Sequence, residues 1–365
     1  MFGARGHRPD YFLMALVLVL VAFGLVMLVS ASSDLGKIKF NDSYYYLKHQ
    51  LIYGFSLGLL GFFLAANIRY TIYRTWAFPL LLLTIALLIL IFTPLGVEAN
   101  AATRWLKIGP FRFQPAELLK ITFIIYIAAW LSRPNAKRSA SFLKGLLPFL
   151  IISGAICALL IMQPATSTVA ILLGAALVVY FLSGASLKYI FGTILVAAIC
   201  VGLIIYATPY RRDRILGFLN QDQHQETKNY QVRQALTAIG AGGLTGAGYG
   251  RSVIKNSLPA SVDDSIFAIV GEEFGFLGSG ALVALFGALV LRLFWLARRA
   301  PDLFGRLMLV GFGTVIAFQS LVNMGSISGI LPLTGVPLPF VSYGGTALAV
   351  FMTMAGIATN VSKYT

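Results

Sequence analysis

The sequence predicts an all-α, polytopic integral membrane protein. Three observations carry that prediction. Of 365 residues, 58% are hydrophobic and 11% are charged, where a soluble domain carries about 25% charged residues. Apolar runs of roughly 20 residues recur along the chain, the length that crosses a bilayer as a helix. The short alternating segments of a membrane β-barrel are not found.

About ten transmembrane helices are read in order: 11–31, 47–66, 76–94, 116–132, 145–163, 166–182, 189–207, 265–297, 307–330 and 346–361. The first run, Tyr11 to Val29, exceeds the roughly 7–15 apolar residues of a signal peptide. It is read as an uncleaved helix, although Val29 and Ala31 mimic a cleavage site. The fourth span follows a segment with Trp105, Phe111 and Phe113, a composition that suits the membrane interface. Only Gln163-Pro164-Ala165 separates the fifth and sixth spans, and proline there suits a tight turn. A large extracytoplasmic loop, 208–264, joins helices 7 and 8. The eighth span is long enough to tilt or to begin outside the bilayer. The whole chain, 1–365, reads as a single transmembrane domain, with the loop carrying part of the site.

Net charge is +15. The basic residues cluster at helix ends, where they act as topology signals and lipid contacts, so no nucleic-acid partner is expected. If the N-terminus is cytoplasmic, half of the 28 Lys and Arg fall inside, and half of the remainder lie in the long loop, where the rule weakens. Both termini are therefore expected to be cytoplasmic. Of 13 acidic residues only Asp10 and Asp302 fall inside. Chemistry that uses carboxylates belongs on the external side. Cys157 and Cys200 lie in apolar runs and read as small buried hydrophobes. The three histidines are scattered and support no zinc site.

Four stretches stand out. Loop 208–264 opens with Arg211-Arg212-Asp213-Arg214 and ends in AIGAGGLTGAGYGRS before Lys255. The arginines can clamp a phosphate and the glycines allow close backbone approach. A solvated basic loop with a flexible linker is an equal reading. Asp263-Asp264 precedes an apolar helix, as helix caps or as a general base whose pKa its neighbour raises. Glu272 and Glu273 lie two turns deeper, where carboxylates are costly and mark sites, or serve structure alone. Arg104-Trp105-Leu106-Lys107 precedes Gln114-Pro115-Ala116-Glu117, and Glu117 and Lys120 share a helix face. The fourth stretch runs from Asn323 to Thr346 through Pro332, Pro337, Pro339 and Ser342. Its prolines and glycines forbid a continuous helix, and irregular backbone at membrane depth must be covered by protein or line a cavity.

Together and in this order, RWL, FQPAELLK, AIGAGG, LPASVDDSIFAIVGEE and GILPLTGVPLPFVSYGG resemble the SEDS family (shape, elongation, division and sporulation). The resemblance covers nearly the whole chain. It implies a peptidoglycan glycosyltransferase that polymerises lipid II into β-1,4 glycan strands at the outer face of the bacterial cytoplasmic membrane, releasing undecaprenyl pyrophosphate. The family's key carboxylate, five residues after a Leu-Pro pair, falls on Asp264 as the catalytic base. Arg104, Glu117, Lys120, Arg212, Arg214, Lys255 and Ser342 are the expected substrate-binding residues. A divalent cation, Mg2+ or Mn2+, can assist, although no ligand cluster in the sequence marks one. The resemblance also implies a class B penicillin-binding protein transpeptidase and other divisome or elongasome membrane proteins as partners. The opening through Ser33 and Gly96-Val97-Glu98 look more like FtsW, the division branch, than like RodA, the elongation branch. A lipid II flippase and a non-catalytic division scaffold are the rival readings. The family usually has Asp where this chain has Ala165, so Lys120 is expected to rely on Glu117 alone. Ser265 likewise stands where the family usually has Phe.

Overall fold

Apolar helices dominate the computed structural model, which describes residues 7–99, 102–109, 111–133, 139–208, 212, 216, 218 and 230–365. Helix α1 (Tyr11–Phe40) starts at Asp10, whose Oδ1 accepts from Leu13 N at 2.7 Å, and stops at Asn41 in the left-handed region. It runs past the expected end near residue 31, and Lys37 and Lys39 in its last turn suit the negative end of the helix dipole. Next come α2 (Tyr45–Asn67) and α3 (Thr71–Leu90). Helix α4 (Pro115–Leu131) begins with proline at its first position, where no N–H is needed. Helices α5 (Phe142–Met162), α6 (Thr166–Leu182) and α7 (Leu187–Ala207) follow, and the expected break between the fifth and sixth spans falls at residues 163–165. After α8 (Tyr230–Gly242) come α9 (Ile266–Arg299), α10 (Leu303–Ile327) and α11 (Gly345–Ser362).

Among the described residues, eight helices are long and apolar enough to cross a membrane. The 17-residue α4 and α6 complete the ten, each roughly 26 Å at 1.5 Å per residue.

Two elements differ from expectation. The aromatic segment before α4 forms a small antiparallel sheet of β1 (Gly96–Ala99), β2 (Ala102–Ile108) and β3 (Phe111–Phe113), in the order β1-β2-β3. The strands are too short for their alternation to show against an aromatic interface segment. Gly109, at φ 61°, supplies the positive φ that a two-residue hairpin turn needs. The second is α8, inside what reads as loop. Its Ala235, Ala238 and Gly242 are buried, the spacing of one helix face against α9.

Helices α4, α10 and α11 form the core and are buried nearly all round. Helix α10 packs on α4, α6 and α9, and α11 packs on α2. Helix α7 is mostly exposed, so Cys200 lies on its outer surface rather than buried; Cys157 is half-buried. The two ends of the chain meet: His7 N donates to Lys363 O at 2.6 Å and Asp10 N to Ser362 Oγ at 3.0 Å. Arg292 closes this end with hydrogen bonds to both carboxylate oxygens of Asp10.

Candidate functional site

The site lies at the opposite end of the bundle, and its frame is a break in α9. Gly275 sits at φ 63°, ψ −160° inside the helix. In a continuous helix, Phe276 and Leu277 would donate to the carbonyls of Glu272 and Glu273. Instead they donate to Gly243 O at 2.9 Å and Leu244 O at 3.1 Å. The freed carbonyls of Glu272 and Glu273 accept from Ala247 N at 2.9 Å and Gly248 N at 3.0 Å. The glycine-rich segment therefore plugs the helix with its own backbone and pairs the four peptide groups that the break would otherwise strand. A Cβ on Gly246 would stand 2.1 Å from Glu273 O. The glycines allow close approach, but to α9 rather than to a ligand.

The deep carboxylates serve the same frame. Glu272 accepts from Val253 N at 2.9 Å, Ile254 N at 3.4 Å and the Ser252 hydroxyl, and so caps the turn at Ile254–Asn256. Glu273 accepts from the Ser30 hydroxyl and from Ser252 N at 3.4 Å. Lys255 Nζ reaches Asp34 Oδ2 at 3.1 Å and Ser30 O at 3.4 Å. These bonds join α1, residues 252–256 and α9.

Asp264 is buried at the mouth of this frame, and Asp263 beside it is exposed. Ser265, not an aspartate, occupies the N-cap of α9 and makes no side-chain cap bond. Asp264 Oδ1 accepts instead from Gln231 Nε2 of α8 at 3.3 Å. The same amide donates to Ser265 Oγ at 2.9 Å, and that hydroxyl donates to Pro259 O at 3.0 Å. The backbone carbonyl of Asp264 accepts from Asn323 Nδ2 of α10 at 2.8 Å. Gly335 approaches from the other side, where a Cβ would stand in van der Waals contact with Asp264 Oδ2 at 3.7 Å. Asp263 is open to solvent on one side, and nearby protein partly desolvates its carboxyl. That desolvation, then the Asp264 charge, raises its pKa to about 7 against a smaller lowering by Lys39. Tyr343 N bonds Val262 O at 2.9 Å, and its hydroxyl lies 3.1 Å from His49 Nδ1.

Lys120 is fully buried in α4. Its Nζ donates to Glu117 Oε1 at 2.6 Å and to Gln319 Oε1 at 2.7 Å, with the Phe351 ring 5.4 Å away. Glu117 is thus not its sole partner in the absence of a carboxylate at Ala165: the Gln319 carbonyl is the second. Arg104 donates to Gln163 O at 3.0 Å and Pro164 O at 2.6 Å, holding the turn between α5 and α6. Ser342 Oγ accepts from Leu338 N at 2.9 Å and closes the proline-rich segment. Arg212 is exposed beyond α7, and Arg214 lies outside the described residues. Among the described residues, no three His, Cys, Asp or Glu side chains converge as metal ligands.

Three amides escaped assignment from the sequence: Gln231, Gln319 and Asn323. The last two are four apart in a mainly apolar helix. Polar side chains at one-turn spacing at membrane depth are themselves a signal.

This fold and site define a multi-pass membrane protein with acidic and basic groups buried at one end of its bundle. The family model described as "Cell cycle protein", for FtsW, RodA and SpoVE, matches residues 11–365. The chain belongs to that family. It is 36% identical over 359 residues to stage V sporulation protein E of Bacillus subtilis, covering 98% of this chain and 97% of that one. It is 35% identical over 360 residues to a Geobacter sp. (strain M18) protein named "Probable peptidoglycan glycosyltransferase FtsW", covering 98% of each. A solved chain from a peptidoglycan synthase complex that coordinates polymerisation and crosslinking superposes with a TM-score of 0.81, at 29% identity and 97% coverage of both.

Proposed function

We propose that this protein is a peptidoglycan glycosyltransferase that polymerises lipid II at the outer face of the bacterial cytoplasmic membrane. The observation that carries the reading is Asp264, a buried carboxylate at the mouth of a broken helix, oriented by Gln231 and lying close to Gly335. Asp264 takes the proton from the 4-hydroxyl of the acceptor sugar. That oxygen bonds the anomeric carbon of the lipid-linked donor strand as the carbon–diphosphate bond breaks. The α-linked donor becomes a β-1,4 link, and undecaprenyl pyrophosphate departs with the electron pair. The basic groups of Lys120, Arg212 and Arg214 stabilise the diphosphate charge. Arg104, Glu117, Lys255 and Ser342 hold the walls through the bonds described above. Among the described residues no cluster of His, Cys, Asp or Glu marks a site for Mg2+ or Mn2+.

In this orientation both termini are cytoplasmic, which the basic residues near the joined chain ends support. The relatives named FtsW support a role in division, with a class B penicillin-binding protein as the crosslinking partner.

The test is glycan synthesis from labelled lipid II by purified protein, with and without its cognate transpeptidase. Wild type makes polymer and Asp264→Asn makes none while keeping its melting temperature. Normal polymer from Asp264→Asn sinks the assignment. Transfer of lipid II between liposome leaflets without polymer would favour a flippase.

A further inference from the structure

Lys120 and Asp264 stand on different helices, and the connection between them runs through α10. Gln319 and Asn323 are four residues apart, so they share a face about 6 Å apart along the axis. Both are fully buried. Gln319 uses both ends of its amide: Oε1 accepts from Lys120 Nζ at 2.7 Å, and Nε2 donates to Pro337 O at 2.8 Å. Asn323 Nδ2 donates twice, to Val336 O at 2.7 Å and to Asp264 O at 2.8 Å. The two amides therefore grip consecutive peptide units of the proline-rich segment, and each ties that segment to one pole of the site. Asn323 Oδ1 is buried with no hydrogen-bond partner. An amide that forgoes one bond in order to make two others is held there by the demand for its donors.

We propose that Gln319 and Asn323 are positioning residues for glycosyl transfer. They form a two-rung strut on α10 that fixes the spacing between the Lys120 ammonium and Asp264. The strut thereby sets where the diphosphate end of the lipid donor lies relative to the acceptor hydroxyl. The proposal rests on the polymerase reading above. Apolar packing would hold the segment equally well, but it would not fix two adjacent carbonyls in register.

The experiment measures kcat and KM for lipid II polymerisation across pH, on full-length protein co-purified with its transpeptidase. Gln319→Glu keeps an acceptor for Lys120 and loses the donor to Pro337. The added carboxylate beside Glu117 costs stability, so rate is read per folded molecule, and that rate falls. Asn323→Leu removes both of its donors. Ser320→Ala is the control, because that buried hydroxyl bonds only Ile316 O of its own helix among the described contacts, at 2.7 Å. The result expected is a fall in kcat per folded molecule of about tenfold or more for Gln319→Glu and Asn323→Leu, since small misplacements cost up to roughly 10²-fold. Asn323→Leu also shifts the acid limb of kcat/KM, which a merely structural loss would scale without moving. The double variant stays within about threefold of the weaker single variant, because the two rungs act as one unit. Wild-type kcat in either single variant, losses that multiply in the double, or an equal loss in Ser320→Ala would each overturn the strut. An inactive wild type would overturn the polymerase reading and the strut with it, and is distinguishable because the failure then precedes any substitution.

Discussion

Lys120→Met puts a number on the buried pair. Lys120 Nζ and Glu117 Oε1 are 2.6 Å apart, with side-chain exposures of 0% and 5%. Glu117 Oε2 is buried and has no hydrogen-bond partner. Removing the ammonium therefore leaves a carboxylate at membrane depth with neither its counter-charge nor its one hydrogen bond. Breaking a buried pair from one side costs about 3–5 kcal/mol. Methionine keeps most of the stem volume, so packing contributes little to that loss. At roughly 2 °C per kcal/mol for a chain of this size, the melting temperature falls by about 6–10 °C. Glu117→Gln should cost a similar amount, because Gln319 alone then faces the cation. The double variant Lys120→Met with Glu117→Gln removes both charges. It should recover most of the loss, leaving about 1–2 kcal/mol for the bonds that Gln319 and the new amide no longer make. The assay is thermal unfolding of detergent-purified protein, arranged as a double-mutant cycle. A shift below about 2 °C for Lys120→Met would refute the argument. So would a double variant no more stable than the worse single, since the energy would then lie in packing rather than in charge.

Other predictions follow from particular contacts. Gly246→Ala drives a methyl into Glu273 O and forces out the plug of α9. Polymer synthesis and melting temperature should fall together, whereas Gly243→Ala, with open space at its Cβ, pays only for its positive φ, about 1 kcal/mol. Asp263→Asn tests the raised carboxyl. An acid with pKa about 7 when folded, raised from the ordinary carboxylate value of 3.8, stabilises the fold below about pH 4 relative to its ionised form, and that contribution is lost as pH rises towards 7. The asparagine variant should therefore be the more stable at pH 8, and the difference should close near pH 4 in melting curves. Asp10→Ala removes the cap bond to Leu13 N and the two-oxygen contact to Arg292. Stability should drop by about 1–2 kcal/mol with kcat unchanged, and a loss of kcat larger than the loss of folded protein would contradict this.

Much of the fold was legible because a membrane span is a matter of composition and length. The ten helices follow from apolar runs, even where α5 and α6 are parted by three residues. Asp264 was legible because a carboxylate at a membrane boundary is costly and therefore rare. What stayed hidden depends on contacts between distant segments. AIGAGG fits a linker as well as a ligand cradle, and nothing local says that its carbonyls complete a helix some thirty residues onward. The one-turn spacing of Gln319 and Asn323 marks a polar face, but only their contacts with Val336 and Pro337 show what that face holds. The strands before α4 are three to seven residues long, and their pairing rests on register rather than on any period. Asp263-Asp264 looked like a cap by type, yet Ser265 holds that place.

The plug in α9 bears on how the chain is made. Residues 243–248 leave the ribosome before the helix they complete, and they end on the far side of the membrane from the joined termini. When the first half of α9 emerges, its backbone has no partner across the gap at Gly275 until that earlier segment folds back onto it. The membrane core is thus not closed in order of synthesis. It waits on a stretch that hydropathy alone would count as external. A long insertion between Gly242 and Ser252 would therefore strand peptide groups inside the bilayer and send the chain to quality-control proteolysis, whereas an ordinary surface loop would absorb it.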